Sequence, residues 1–403
     1  MSNDNTISQP YEIPKNWHWI KMGSICQFER GITFPKKAKE KESSEENIPC
    51  LRTTNVQEEL FIDDLIYVDK KYMKNNPAKL VRNNDIIMSS ANSRELVGKT
   101  CYINELPFPM TFGGFVLNIR AKDIVSEYLF YFLRHEFLFD NFKRLAAQTV
   151  NIANINTTKL SNYFIPLPPI EIQNKIVKNI HSLFEKLDKA KKLLQNIVDN
   201  YEMRRSVILH KAFDIPYVKI KLSKVLSVSK ETTTDFSNPN LKYIGLDNIK
   251  KDCGIISYEN TKKIKSTKNV FKMGQILYGK LRPYLNKHDV AKFDGVCSTD
   301  IIVFNHCDNT LADYINYYFD TEKFINYIVP KAKGNTLPRV TKKDVLEAEC
   351  PLPPYEKQKE IVCILDNLLS KEQRTKELAE NVLNDIKLME KKILSLAFRG
   401  ELC

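Results

Sequence analysis

Two stretches of this 403-residue chain repeat each other at a constant spacing. The segment FIPLPPIEIQNKIVKNIHSLFEKLDKA, which starts at Phe164, matches ECPLPPYEKQKEIVCILDNLLSKEQRT, which starts at Glu349. The offset is 185 residues, and it also pairs Ile208 with Ile393 and Phe213 with Phe398. Because this ungapped match extends over about fifty residues, we interpret it as a duplication, and the fold has to accommodate two copies of one unit.

Each copy has the sequence pattern of a long helix. Pro168-Pro169 and Pro353-Pro354 stop any preceding helix, and Glu171 and Glu356 place negative charge in the first turn, where the helix dipole favours it. Apolar residues then recur every three or four positions, which is typical of a coiled-coil seam. They are Ile172, Ile176, Ile180, Leu183, Leu187, Ala190, Leu194, Ile197 and Tyr201 in the first copy, and Leu365, Leu368, Ala379, Val382, Ile386, Met389, Ile393 and Leu396 in the second.

An apolar stripe from Glu171 to Phe213 would be about 60 Å long and needs an equally long partner. The other copy supplies one, so we expect the two helices to form an antiparallel coiled coil with one globular domain near each end. The alternative is that the two helices pack on separate cores.

The segments before the helices also repeat, more faintly. RTTNV aligns with GLDNI, which matches Asn55 with Asn248, and NNDIIMSS aligns with MGQILYGK. Strand-like and helix-like patterns alternate in both segments, and the aromatic residues on one helical face are expected in the core: Tyr128, Phe132, Tyr314 and Tyr318. The prediction is a mixed α+β (α/β) fold with globular domains at 1–166 and 216–351 and long helices at 167–215 and 352–403.

GQILYGK, from Gly274 to Lys280, has nearly the glycine and lysine spacing of a phosphate-binding loop. Leu281 stands where magnesium needs a hydroxyl, and Pro283 stands where the first helical turn needs N–H donors. We therefore predict a buried strand that presents Tyr278, Lys280, Arg282 and Tyr284 at its far end.

Charge and cysteine content narrow the class of protein. A net charge of +12 favours a polyanionic partner, and there is no leader or membrane-spanning pattern, so we expect a cytoplasmic protein. Nine scattered cysteines without a Cys-x-x-Cys pair suit reduced thiols. The grouping of His288, Cys297, His306 and Cys307 lacks a zinc spacing, so no metal is predicted.

The most distinctive parts of the chain are the two PLPP helices, YGKLRPYL from Tyr278, CSTDIIVF from Cys297, GNTLPRV from Gly334 and the final LAFRGEL. With them the chain resembles, over essentially its whole length, the DNA specificity subunits of type I restriction-modification systems. The resemblance implies two target recognition domains that each read one half of a split double-stranded DNA site, with the helices setting the gap. It also implies two docked methyltransferase subunits, with nuclease-translocase subunits as optional further partners. S-adenosylmethionine, ATP and magnesium are then expected on the partners, and no cofactor on this chain.

We find no catalytic motif in the sequence: Leu352-Pro353-Pro354-Tyr355 lacks the polar first residue of an adenine methyltransferase tetrapeptide. An enzyme that binds ATP or S-adenosylmethionine and a coiled-coil scaffold stay open as alternatives. Base and phosphate contacts need basic, amide or hydroxyl side chains on loops. The candidate DNA-binding residues are Arg52, Asn55, Ser89, Asn92, Arg94, Asn151 and Asn154 in the first half, and Lys280, Arg282, Tyr284, Lys333, Asn335 and Arg339 in the second.

Overall fold

A computed structural model describes residues 11–148, 152–238, 240–261, 264 and 266–402. The chain divides into two compact units, Met1–Leu193 with Val382–Cys403 and Leu194–Asn381. The division cuts across the long helices rather than at their ends. Each unit therefore combines one globular half, the start of the helix that follows it and the end of the other long helix.

Within its described residues, the first unit contains four small sheets. Its strands are β1 (His18–Lys21), β2 (Cys26–Arg30), β3 (Asn47–Leu51), β4 (Ile66–Asp69), β5 (Ile86–Ser89), β6 (Ala91–Asn92), β7 (Thr100–Tyr102), β8 (Thr111–Phe112), β9 (Val116–Ala121), β10 (Ala147–Gln148), β11 (Ala153–Asn154) and β12 (Phe164–Leu167). Its helices are α1 (Met22–Ile25), α2 (Ser126–Leu138), α3 (Asn141–Leu145), α4 (Thr157–Ser161) and the start of α5 (Ile170–Asp199). The largest sheet has the order β2-β9-β5-β7, and a second has the order β4-β3-β8, in which β3 and β8 are parallel. The other two sheets are β1-β12 and β10-β11-β6.

The second unit has the same plan. Its strands are β13 (Lys219–Lys221), β14 (Leu226–Val228), β15 (Thr232–Thr233), β16 (Lys242–Ile244), β17 (Ile249–Lys250), β18 (Gly254–Ile255), β19 (Glu259–Asn260), β20 (Lys268–Phe271), β21 (Ile276–Gly279), β22 (His288–Val290), β23 (Gly295–Cys297), β24 (Ile301–His306) and β25 (Glu349–Pro351). Its helices are α6 (Tyr201–Phe213), α7 (Ala312–Phe319), α8 (Glu322–Ile328), α9 (Lys342–Leu346) and the start of α10 (Tyr355–Phe398). The order β14-β24-β21-β22 corresponds to β2-β9-β5-β7, and the parallel pair β16–β23 corresponds to β3–β8.

Aromatic residues of α2 and α7 anchor the cores in equivalent ways. The Tyr128 hydroxyl donates to the Pro166 carbonyl, and the Tyr314 hydroxyl donates to the Pro351 carbonyl, both at 2.7 Å. The predicted core positions Tyr128, Phe132, Tyr314 and Tyr318 are all at most 2% exposed, which confirms that prediction. The duplication therefore extends through the globular halves.

The glutamine that follows each PLPP motif fixes the entry of the long helix. In the first unit, Gln173 accepts from the Val125 N–H at 2.8 Å and donates to the Pro168 carbonyl at 2.8 Å. In the second unit, Gln358 accepts from the Leu311 N–H at 2.9 Å and donates to a proline carbonyl at 2.9 Å. Both glutamines are buried, so each joins the start of its long helix to the start of α2 or α7.

In the second unit the two long-helix segments run antiparallel, as predicted. Tyr201 bonds Gln373 at 2.8 Å, and Arg204 pairs with Glu372 at 2.7 Å. From Tyr201 to Arg204 the residue number rises, while that of the partner falls from Gln373 to Glu372, which is the antiparallel direction. In the first unit, the Asn179 amide donates to the carbonyl of Leu402 at 2.8 Å. The predicted mixed fold with two domains and paired long helices is therefore confirmed.

Two details of the predicted helices were wrong. The helix expected from Glu171 to Phe213 is interrupted at Asn200, whose backbone N–H and side-chain amide both donate to the Asn196 carbonyl, at 3.1 Å and 2.9 Å. In α10, Leu368 is 42% exposed, whereas Leu369 is buried. Val382 and Met389 are also exposed. Among the described residues, no helix is both long and apolar enough to cross a membrane.

Candidate nucleic-acid interface

In the second unit, the end of β21 lies against a hairpin that precedes the long helix. Lys333 and Arg339 exchange two backbone hydrogen bonds of 2.9 Å, which closes the hairpin. The Arg282 N–H donates to the Pro338 carbonyl at 2.7 Å, and the Val340 N–H donates to the Lys280 carbonyl at 3.0 Å. The motifs YGKLRPYL and GNTLPRV, far apart in sequence, therefore form one surface.

Asp300 joins the two motifs through its side chain. Its carboxylate contacts Arg339 Nε at 3.1 Å and Lys280 Nζ at 3.7 Å. The hydrogen bonds from Arg339, together with both positive charges, lower the pKa of Asp300 despite partial burial. Asp300 belongs to CSTDIIVF, so the carboxylate orients two cations while leaving part of each side chain exposed.

The other candidates of this unit lie at the same surface. Arg282 has a left-handed backbone with φ of 52°, which turns the chain so that its side chain is exposed. Tyr284 is 53% exposed, and Lys333 and Asn335 are exposed as well. Tyr278 does not join them: it lies near the end of β21 but is fully buried and stacks on His288, so the expectation that the strand presents it at the surface was wrong.

The first unit repeats this arrangement with different side chains. Strand β6 pairs with β11 in antiparallel register, so that Asn92 lies opposite Ala153 and Asn154 lies opposite Ala91. Arg94 and Asn154 are exposed, and the Asn92 amide donates to the Ser89 hydroxyl at 2.9 Å. Asn151 lies outside the described residues.

Two candidates of the first unit are inside the fold. Asn55 is fully buried: its carbonyl oxygen accepts from the Arg52 N–H at 2.7 Å, and its amide donates to the carbonyl of Phe61 at 2.8 Å. Asn248 accepts from the Gly245 N–H at 2.7 Å in the same way, so the shared asparagine closes a 3-10 turn in both units. Ser89 is 1% exposed at the end of β5. Neither Asn55 nor Ser89 reaches the surface, contrary to the sequence prediction.

Arg52 is partly exposed and pairs with Asp64 at 2.6 Å. It lines a cleft of about 460 Å³ whose wall includes residues that sequence reasoning missed: Thr33, Lys36, Lys39, Thr54 and Phe115. Their only sequence signal is the basic run after Pro35 and the Gly-Gly-Phe turn, neither of which has a counterpart in the other half.

A buried polar network holds the YGKLRPYL loop to α6. Arg205 contacts Asp320 at 2.6 Å and Asp252 at 2.9 Å, and Asp320 contacts His288 at 3.1 Å. Burial by itself lowers the pKa of His288, but the Asp320 carboxylate and its hydrogen bonds outweigh burial and raise it. Asn286, at the end of the loop, donates to Asp320 at 3.0 Å. This network therefore ties the loop to α6.

No group of three or more His, Cys, Asp or Glu side chains within the described ranges has metal-binding geometry. Cys297 is buried, and burial raises its pKa to about 12, so this thiol stays protonated.

A family model described as the type I restriction modification DNA specificity domain matches residues 14–198 and again residues 212–384. The chain therefore belongs to this family, and it is a non-catalytic specificity subunit of a type I restriction-modification system. It is 22% identical to the EcoKI specificity subunit of Escherichia coli K12 and 22% identical to the StySPI specificity subunit of Salmonella potsdam. Each alignment covers 97% of this chain and 90% of the relative.

Solved structures share the fold. The HsdS subunit from Thermoanaerobacter tengcongensis superposes with a TM-score of 0.62 at 18% identity, covering 97% of this chain and 99% of that one. A chain solved in work on complex assembly and conformational transition of the type I R-M system superposes with a TM-score of 0.68 at 19% identity, covering 97% of this chain and 100% of that one.

Proposed function

We propose that this chain selects the target of a type I restriction-modification enzyme by reading a bipartite, gapped DNA site, one half with each recognition domain. In each unit a strand end pairs with the hairpin before the long helix, and this repeated pairing is the main support for the proposal. It gathers basic and amide side chains at one exposed surface of each unit, and these are the groups that contact phosphates and base edges.

The two half-sites differ in this proposal because the two surfaces differ. The second unit presents Arg282, Lys333 and Arg339, and guanidinium groups pair best with guanine. The first presents Asn92 and Asn154, and amides pair best with adenine. The net charge of +12 adds salt-dependent phosphate contacts to both halves.

The paired helices set the gap between the half-sites and dock two methyltransferase subunits. Apolar side chains stay exposed along these helices in each unit, although most of their neighbours are polar: Leu193, Ile364, Leu368, Leu378 and Leu388 are 42–68% exposed. A protein partner would remove these apolar side chains from water, which favours its docking on the helices. S-adenosylmethionine, ATP and magnesium act on the partner subunits, nuclease-translocase subunits join the methyltransferase complex, and the assembly works in the cytoplasm.

The test is selection of bound duplexes from a randomised DNA pool by the chain purified with its methyltransferase subunit. We expect two short, different half-sites separated by a fixed unread gap. A single contiguous motif, or no enrichment, would contradict the two-domain proposal. Loss of enrichment for one half-site only, in Arg282→Ala, would assign that half-site to the second unit.

A further inference from the structure

The two recognition domains carry chemically different side chains at one equivalent position. In the first unit β3 and β8 pair Leu51 with Phe112, and in the second β16 and β23 pair Ile244 with Cys297. Three residues after each pair stand Phe115 and Asp300. The equivalence therefore rests on strand register rather than on sequence similarity.

Backbone hydrogen bonds support this equivalence. The Phe115 carbonyl accepts from the Ser90 N–H at 3.0 Å, directly after β5. The Asp300 carbonyl accepts from the Lys280 N–H at 2.9 Å, directly after β21. Since Asp300 organises Lys280 and Arg339 at the candidate interface, Phe115 lies at the corresponding place in the first unit.

Phe115 is exposed to an unusual degree for an aromatic residue in a glycine turn. It is 63% exposed, more than any other phenylalanine among the exposed apolar residues of the described chain. It lines the 460 Å³ cleft together with Thr33 and Thr54, which carry hydroxyl groups, and with Lys36 and Lys39. Among the described residues, neither lysine forms an ion pair within 4 Å.

This combination matches the edge of a base pair in the major groove. Thymine is the base that presents an apolar group there, its 5-methyl, beside acceptor atoms that suit hydroxyl donors. Unpaired lysines at the rim suit the flanking phosphates, and they impose no sequence preference themselves. Contact between a ring on the wall of a cleft and a methyl group removes both from water, which makes the free energy of binding more favourable.

We propose that Phe115 reads a thymine of the first half-site through its 5-methyl group, with Lys36 and Lys39 holding the adjacent phosphates. This inference rests on the proposed function. It adds a specificity-determining residue that has no counterpart in the second unit, where Asp300 arranges cations instead.

The test replaces each thymine of the selected site in turn by 2′-deoxyuridine, which lacks only the methyl group. Duplex affinity is measured by fluorescence anisotropy with the full chain in complex with its methyltransferase subunit. We expect one replacement in the first half-site to weaken binding about fourfold, the value of one buried methyl group. In Phe115→Ala, the same replacement is expected to have no effect, so the two changes are not additive.

Phe108→Ala is the matched control, since Phe108 is exposed in the same unit but does not line the cleft. It should retain the full deoxyuridine penalty. An equal penalty in wild type and Phe115→Ala, or a first half-site without any thymine, would overturn the role of Phe115 and leave bipartite recognition standing. Failure of wild type to select a bipartite site would instead refute the proposed function.

Discussion

Replacing the buried glutamine at a helix entry tests how the long helices are held to their globular halves. Gln173→Leu keeps the side-chain volume but leaves the Val125 N–H and the Pro168 carbonyl without partners. Gln173 is 2% exposed, so water cannot replace it, and each unsatisfied group costs about 1–3 kcal/mol. The free energy of unfolding should therefore fall by roughly 2–6 kcal/mol.

The assay is urea unfolding followed by circular dichroism. At an m-value of about 2 kcal/mol per molar, the midpoint should fall by about 1 M or more. Gln195→Leu is the matched control, because Gln195 is exposed on the same helix and bonds only Asp199, so its change should stay within about 0.5 kcal/mol. A Gln173→Leu midpoint equal to that of Gln195→Leu would refute the reasoning.

The repeat supplies a second copy of the same experiment. Gln358 is fully buried and makes the same two hydrogen bonds at 2.9 Å. Gln358→Leu should therefore lower the free energy of unfolding by a similar amount. If only one of the two Gln→Leu variants were destabilised, the shared hydrogen bonds would not be the cause.

Three further predictions concern binding, pH and the buried network. Arg282→Ala should relax base preference in one half-site and Arg94→Ala in the other, each by about 1–3 kcal/mol in binding titrations against single-base variants, and a uniform loss across all duplexes would contradict base readout. The pKa of His288 is raised in the folded state, so protonated His288 stabilises the fold. This contribution is complete below the pKa of the unfolded state, near 6.5, and is lost as pH rises through the pKa of the folded state. Urea unfolding midpoints measured between pH 6 and 9 should therefore fall in wild type but not in His288→Gln. Arg205→Met should lower stability by about 3–5 kcal/mol in the same urea assay, because it removes the cation that lies between the buried carboxylates of Asp252 and Asp320, and Arg205→Met with Asp320→Asn should recover part of that loss.

The sequence by itself determined the duplication, the long helices and the class of protein. Proline pairs and apolar periodicity act locally, so Pro353-Pro354 and the stripe that follows predicted the start of α10 without tertiary information. The resemblance of the repeated motifs to a known family was confirmed by the family match over both halves of the chain.

Only the tertiary structure decided which candidate side chains share a surface. Composition could not distinguish Asn55, which closes a turn inside the fold, from Asn154, which is exposed, because both are amides in polar segments. The contact of Asp300 with Lys280 and Arg339 depends on strand pairing between segments far apart in sequence. Phe115 reaches its cleft for the same reason: β-sheet register, which long-range backbone hydrogen bonds set, places it there.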